Sequence, residues 1–99
     1  MTDINVKEMI TRQQSGEELN LLDVREKLEY HTYNIGGKNI QLHELKERFP
    51  DLEWDKNEEI IVICKVGIRS ATAKSILELN GYKNIRNLTG GLLAFQRDQ

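Results

Sequence analysis

The 99-residue sequence holds one cysteine, Cys64, and one proline, Pro50. A single thiol cannot close an internal disulfide. The two histidines, His31 and His43, form no cluster with Cys64 at zinc-ligand spacing. This sparse cysteine usage fits a reducing, cytoplasmic setting. No apolar stretch approaches the roughly 18 residues of a membrane helix. The opening Met1-Thr2-Asp3-Ile4-Asn5 is too polar for a signal peptide. Neither sign of charge dominates, since the net charge is -2 and basic residues are interspersed with acids. That excludes a global field or basic tract favouring nucleic acid. No repeat and no biased tract marks a linker, so residues 1–99 read as one domain. The remainder is 38% hydrophobic and 30% charged, the balance of a globular chain.

Strand and helix signals alternate. Asn5 and Glu8 form a capping-box-like pair ahead of Val6, Met9 and Ile10, which predicts a first helix over 5–14. Leu19 to Val24 reads as a buried strand, and Glu26 to His31 as a short helix. A turn at 34–37 precedes a weak strand near Asn39-Ile40-Gln41. Leu42, Leu45 and Phe49 have helical spacing, stopped by Pro50, and Trp54 anchors the polar connection that follows. Ile60 to Ile63 is the clearest strand. A helix capped by Ser70 then runs to Asn80, with Gly81 just beyond its end. A last strand over 84–88 leads through Thr89-Gly90-Gly91 into a helix carrying Leu92, Leu93 and Phe95. Such alternation implies an α/β fold with a parallel sheet covered on both faces. Ligands of such folds meet the carboxyl ends of strands, where both Asp23-Val24-Arg25 and Cys64 fall.

Cys64 therefore lies between a buried strand and a helix start. An isolated buried cysteine is more often inert packing. Here the turn's N–H groups and the helix N-terminus favour an anion, and a thiolate is one. The segment Cys64-Lys65-Val66-Gly67-Ile68-Arg69-Ser70 reads as a small anion-binding loop. Gly67 lets the backbone fold tightly, and Lys65 is the candidate for attracting an anionic donor. Arg69 has two possible roles, touching the substrate anion or pairing with Asp23 or Glu26 to fix the loop, and the structural pair is favoured. Asp23, Arg25 and Glu26 read as scaffold around the site, and His31 and His43 as surface residues.

Four stretches together resemble a single-domain rhodanese, of the rhodanese-like sulfurtransferase family. Leu21-Leu22-Asp23-Val24-Arg25-Glu26 with Glu29-Tyr30 is similar to the family's DVRE…EY segment. Asn34-Ile35-Gly36-Gly37 aligns with its G-H-I-P-G-A segment, with Asn34, Gly36 and Lys38 departing from the usual His, Pro and Ala. Cys64 to Ser70 resembles the C-x-x-G-x-R-S loop, and Gly81-Tyr82 with Asn87-Leu88-Thr89-Gly90-Gly91-Leu92 the closing G-[FY]…L-x-G-G segment. Phe95 stands where Trp is common, and Val66 where a cation or polar group is frequent.

The resemblance implies a mainly parallel sheet of about five strands with helices on both faces. It implies a thiosulfate sulfurtransferase-type enzyme working through a Cys64 persulfide, with no metal or cofactor. The donor would be thiosulfate or a persulfide, and the acceptor cyanide or a thiol. Its partners would be small sulfur-containing anions or thiols and donor or acceptor proteins, with neither nucleic acid nor a membrane. Two alternatives stay open: a non-catalytic binding module of this type, and a cysteine phosphatase. The phosphatase pattern has five residues between cysteine and arginine, whereas four separate Cys64 from Arg69, a shorter loop that suits sulfur.

Overall fold

A computed structural model describes residues 2–98. Helix α1 spans Val6–Gln14, and Asn5 caps it by accepting the Glu8 N–H at 2.7 Å. Strand β1 is Leu21–Asp23, followed by α2, Lys27–Thr32, and β2, Lys38–Asn39. A 3₁₀ turn at Leu42–Glu44 leads into α3, Leu45–Arg48, and Pro50 sits in a second 3₁₀ turn, Phe49–Asp51. Then come β3, Ile60–Ile63, α4, Ile68–Leu79, β4, Ile85–Asn87, and α5, Gly91–Arg97.

The strands form one parallel sheet in the order β2-β1-β3-β4. The expected fifth strand is reduced to one parallel bridge, Ile4 to Leu88, at the β4 edge. Its brevity has a local cause, because Asn5 turns the chain into α1 immediately afterwards. All four residues of β3 are buried because both faces of the sheet are covered. Ile60 and Val62 face a core with Leu22, Val24, Ile40, Leu45, Ala73 and Leu77, and Trp54 packs on its margin. Ile61 and Ile63 face a second core with Ile4, Met9, Leu88, Leu92 and Phe95. The period of two carries Cys64 onto the first of these faces.

After β1 the chain moves outward to β2, then crosses back to β3 on the other side of β1. The carboxyl ends of β1 and β3 therefore flank a topological switch point. No helix among the described residues is long and apolar enough to cross a membrane.

Candidate active site

The cap of α4 lies three residues earlier than the Ser70 cap expected from sequence. Gly67 is its N-cap, with φ 99 in the left-handed region, and has no side chain of its own to cap it with. A side chain at Gly67 would be strained there, and glycine is the residue that tolerates it. The tight turn folds the first turn of α4 back over Cys64. The Gly67 and Ser70 N–H groups donate to Cys64 Sγ at 3.1 and 3.3 Å. The sulfur thus takes the place of a capping oxygen, and Ser70 sits inside the helix, fully buried, with its Oγ 3.2 Å from Sγ.

The loop is braced from the far side by α5. The Leu92 and Leu93 N–H groups, at the start of α5, donate to the carbonyls of Cys64 and Lys65 at 2.9 and 3.0 Å. That approach requires Gly91, where an added Cβ would lie 2.5 Å from both of those carbonyl oxygens.

Burial pushes the Cys64 thiol up. The Ser70 hydroxyl and the N–H groups of Ser70, Gly67 and Val66 together outweigh it, and the thiol lies below its ordinary 9.0. The residue is only 1% exposed, so a slender sulfur terminus reaches Sγ more readily than a bulky group. Beside the loop runs a groove of about 430 Å³ lined by Arg25, Leu28, Tyr33, Lys65 and Leu93.

Arg69 does not pair with Asp23 or Glu26. It forks onto Glu29 of α2, with Nη1–Oε1 2.6 Å and Nη2–Oε2 3.0 Å. Asp23 is already engaged: its carboxylate accepts from Arg25 Nε and Nη2 and from the Arg25 N–H. Arg25 Nη2 also donates to the Tyr33 carbonyl at 2.6 Å. Glu26 stands at the N-cap of α2, where its N–H donates to Glu29 Oε1 at 3.0 Å. Glu29 thus joins α2, its own cap and α4. Lys65, Val66 and Ile68 point to solvent, the last two 46% and 74% exposed. His31 and His43 are exposed and take no part.

Sequence reasoning assigned no role to Glu29 or Asn87. Spacing places Glu29 three residues after Glu26 but cannot reveal which arginine crosses to it. Asn87 carried a usable signal, being an uncharged polar residue at the carboxyl end of a strand that is buried throughout. Its Oδ1 accepts from Ser70 Oγ at 2.5 Å, and its Nδ2 donates to the Gly67 carbonyl at 3.0 Å. Among the described residues no group of His, Cys, Asp and Glu is placed to hold a metal ion.

Known proteins resemble this chain in sequence and fold. A family model, "Rhodanese-like domain", matches residues 5–98. The chain is 35% identical over 91 residues to a putative sulfur carrier protein, YrkF, of Bacillus subtilis, covering 91% of this chain and 48% of the relative. It is 40% identical over 72 residues to the thiosulfate sulfurtransferase PspE of Escherichia coli, covering 72% of this chain and 68% of the relative. The chain thus spans about half the length of the first and two thirds of the second. Among solved structures, SSP1007 of Staphylococcus saprophyticus superposes with a TM-score of 0.84 at 30% identity, covering 96% of this chain and 93% of that one. With nearly the whole sequence matched and the fold shared, the chain belongs to the rhodanese-like domain family.

Proposed function

We propose that the protein is a sulfurtransferase that carries sulfane sulfur on Cys64. The observation that carries this reading is the sulfur cradle itself: Sγ at the end of β3, receiving the N–H groups of Gly67 and Ser70. Oriented amides stabilise a thiolate without a base, and they are equally placed to support charge on a persulfide. Relatives named as a sulfur carrier and a thiosulfate sulfurtransferase point the same way.

With thiosulfate as donor, the Cys64 thiolate attacks the outer sulfur. A Cys64–sulfur bond forms, the sulfur–sulfur bond of thiosulfate breaks, and sulfite leaves with the electron pair. In the second half, cyanide or a thiolate attacks the terminal sulfur and Cys64 leaves as thiolate. The two steps form a ping-pong cycle with a covalent intermediate. Arg69 acts by fixing the loop through Glu29, and Asp23, Arg25 and Glu26 hold the neighbouring strand end and α2. A reducing compartment such as the cytoplasm suits the free thiol.

The enclosed sulfur argues against phosphatase chemistry, which must seat a tetrahedral oxyanion over the nucleophile. Intact-mass measurement after incubation with thiosulfate tests the proposal. One added sulfur atom is expected, removed by cyanide, and absent from Cys64→Ser with its circular dichroism spectrum unchanged. An unmodified wild-type mass with both thiosulfate and a persulfide donor would overturn it.

A further inference from the structure

Beyond the cradle, the hydrogens behind Cys64 run in one direction. The Gly67 carbonyl can only accept, so the Asn87 amide must turn its NH₂ toward it, at 3.0 Å. That leaves Asn87 Oδ1, a pure acceptor, facing Ser70 Oγ. Ser70 has a single hydroxyl hydrogen, and in this arrangement Asn87 takes it. The 3.2 Å contact between Ser70 Oγ and Cys64 Sγ must then be supplied by the thiol S–H. Thiol, hydroxyl and amide form one chain ending on the loop's own N-cap residue. Ser70 is fully buried and Asn87 is 6% exposed, so water does not readily replace these bonds.

A thiolate has no hydrogen to give. When Cys64 ionises, the Ser70 hydroxyl must either rotate toward Sγ, leaving Asn87 Oδ1 without its donor, or stay and present its lone pairs to the anion. We propose that Asn87 is a positioning residue for the reaction: it holds the Ser70 hydroxyl away from Cys64 in the thiol state and yields it to the thiolate. The inference rests on the reading of Cys64 as the nucleophile. In the sulfur-loaded state Sγ carries one sulfur–carbon and one sulfur–sulfur bond and no full charge, so the hydroxyl returns to Asn87. When Cys64 leaves as thiolate, the hydroxyl swings back. One bond rotation thereby follows each half of the cycle, and Asn87 sets its resting end. The hydroxyl's share in lowering the thiol pKa is accordingly conditional on releasing Asn87.

The charged groups on the surrounding elements are Arg69 of α4, Lys65 of the loop, Glu29 of α2 and the Asp23–Arg25 pair at the end of β1. On the β4 side, Asp3 accepts the Asn87 backbone N–H and pairs with Lys74, while Arg86 turns away to Glu8 and Glu59. Substitution at Asn87 also removes its bond to the Gly67 carbonyl, so the comparison with and without the Ser70 hydroxyl separates the hydroxyl's part from a loosened loop.

The test is iodoacetamide alkylation of Cys64 across a pH series, which needs no sulfur donor. Asn87→Leu keeps the branching and heavy-atom count and removes the acceptor, so the midpoint should fall by about one pH unit, a tenfold change in the thiol–thiolate ratio. In a Ser70→Ala background the same substitution should leave the midpoint nearly unmoved, since the link is gone. Asn87→Thr, suited to a strand but too short to reach Ser70, carries the same expectations if the leucine variant does not fold. A midpoint that stays or rises, or falls equally with and without Ser70, would overturn the role of Asn87. If alkylation behaves as expected while no sulfur is transferred, the transfer reading fails and the role of Asn87 in the thiol equilibrium stands.

Discussion

Replacing Glu29 by glutamine removes the charge that Arg69 meets while keeping the side chain's length and shape. Two oxygens of Glu29 take the Arg69 fork, and one of them also takes the Glu26 N–H. The Arg69 hydrogen bonds, working against burial, hold the Glu29 carboxyl down from 4.5 to about 2. Taken whole, such a drop would be worth about 3 kcal/mol. The two side chains are 35% and 33% exposed, so solvent screening reduces the pair to about 1 kcal/mol. The folded pKa lies below the unfolded one. The stabilisation is therefore complete above 4.5 and drains away as pH falls toward about 2. Urea unfolding of wild type, Glu29→Gln, Arg69→Gln and the double variant would measure this. Near neutral pH each single variant should lose about 1 kcal/mol, and the double variant scarcely more, because the groups share one interaction. Toward acid, Glu29→Gln should lose less stability than wild type. Equal acid sensitivity in the two proteins, or fully additive losses, would refute the pairing as the brace of the loop.

Two further outcomes are expected. Gly91→Ala, with φ +60 and a Cβ 2.5 Å from the Cys64 and Lys65 carbonyl oxygens, should push α5 off the loop. A loss above about 2 kcal/mol in thermal unfolding is expected, and an unchanged Tm would count against the close approach. Val66→Lys places a cation at a half-exposed site on the loop. It should lower the thiosulfate KM severalfold and make it salt-sensitive, with little effect on a persulfide donor. Equal KM values for both proteins at low and high salt would show that loop charge does not select the donor.

The parts legible in the sequence are those set by short-range rules. The apolar run 60–63 reads as the clearest strand, and Asn5 with Glu8 announces α1 through one capping bond. Cys64 was legible because its position followed from the end of that strand. The start of α4 was misplaced because serine is the more familiar cap. The left-handed turn at Gly67 and the sulfur itself do that work, and neither follows from propensity. The Arg69 partner was misplaced for a different reason. It depends on how α2 packs beside α4, 40 residues apart in sequence, and on Arg25 already occupying Asp23. Asn87 stands in the closing segment without a role of its own, because its meaning lies in a chain of bonds to Ser70 and Gly67 that only the folded geometry assembles.

The sulfur that caps α4 couples chemistry to the melting of the fold. Capping groups at helix starts contribute about 1 kcal/mol, and here the contribution belongs to an atom whose charge changes during turnover. Because the folded chain lowers the Cys64 thiol below 9.0, ionisation favours the folded state. That gain is full above 9.0 and fades as pH drops through the folded value. A group attached at Sγ changes the same acceptor, so loaded, free and blocked forms differ in how firmly the first turn of α4 is held. The unfolding temperature of this chain is therefore a gauge of the chemical state of one atom.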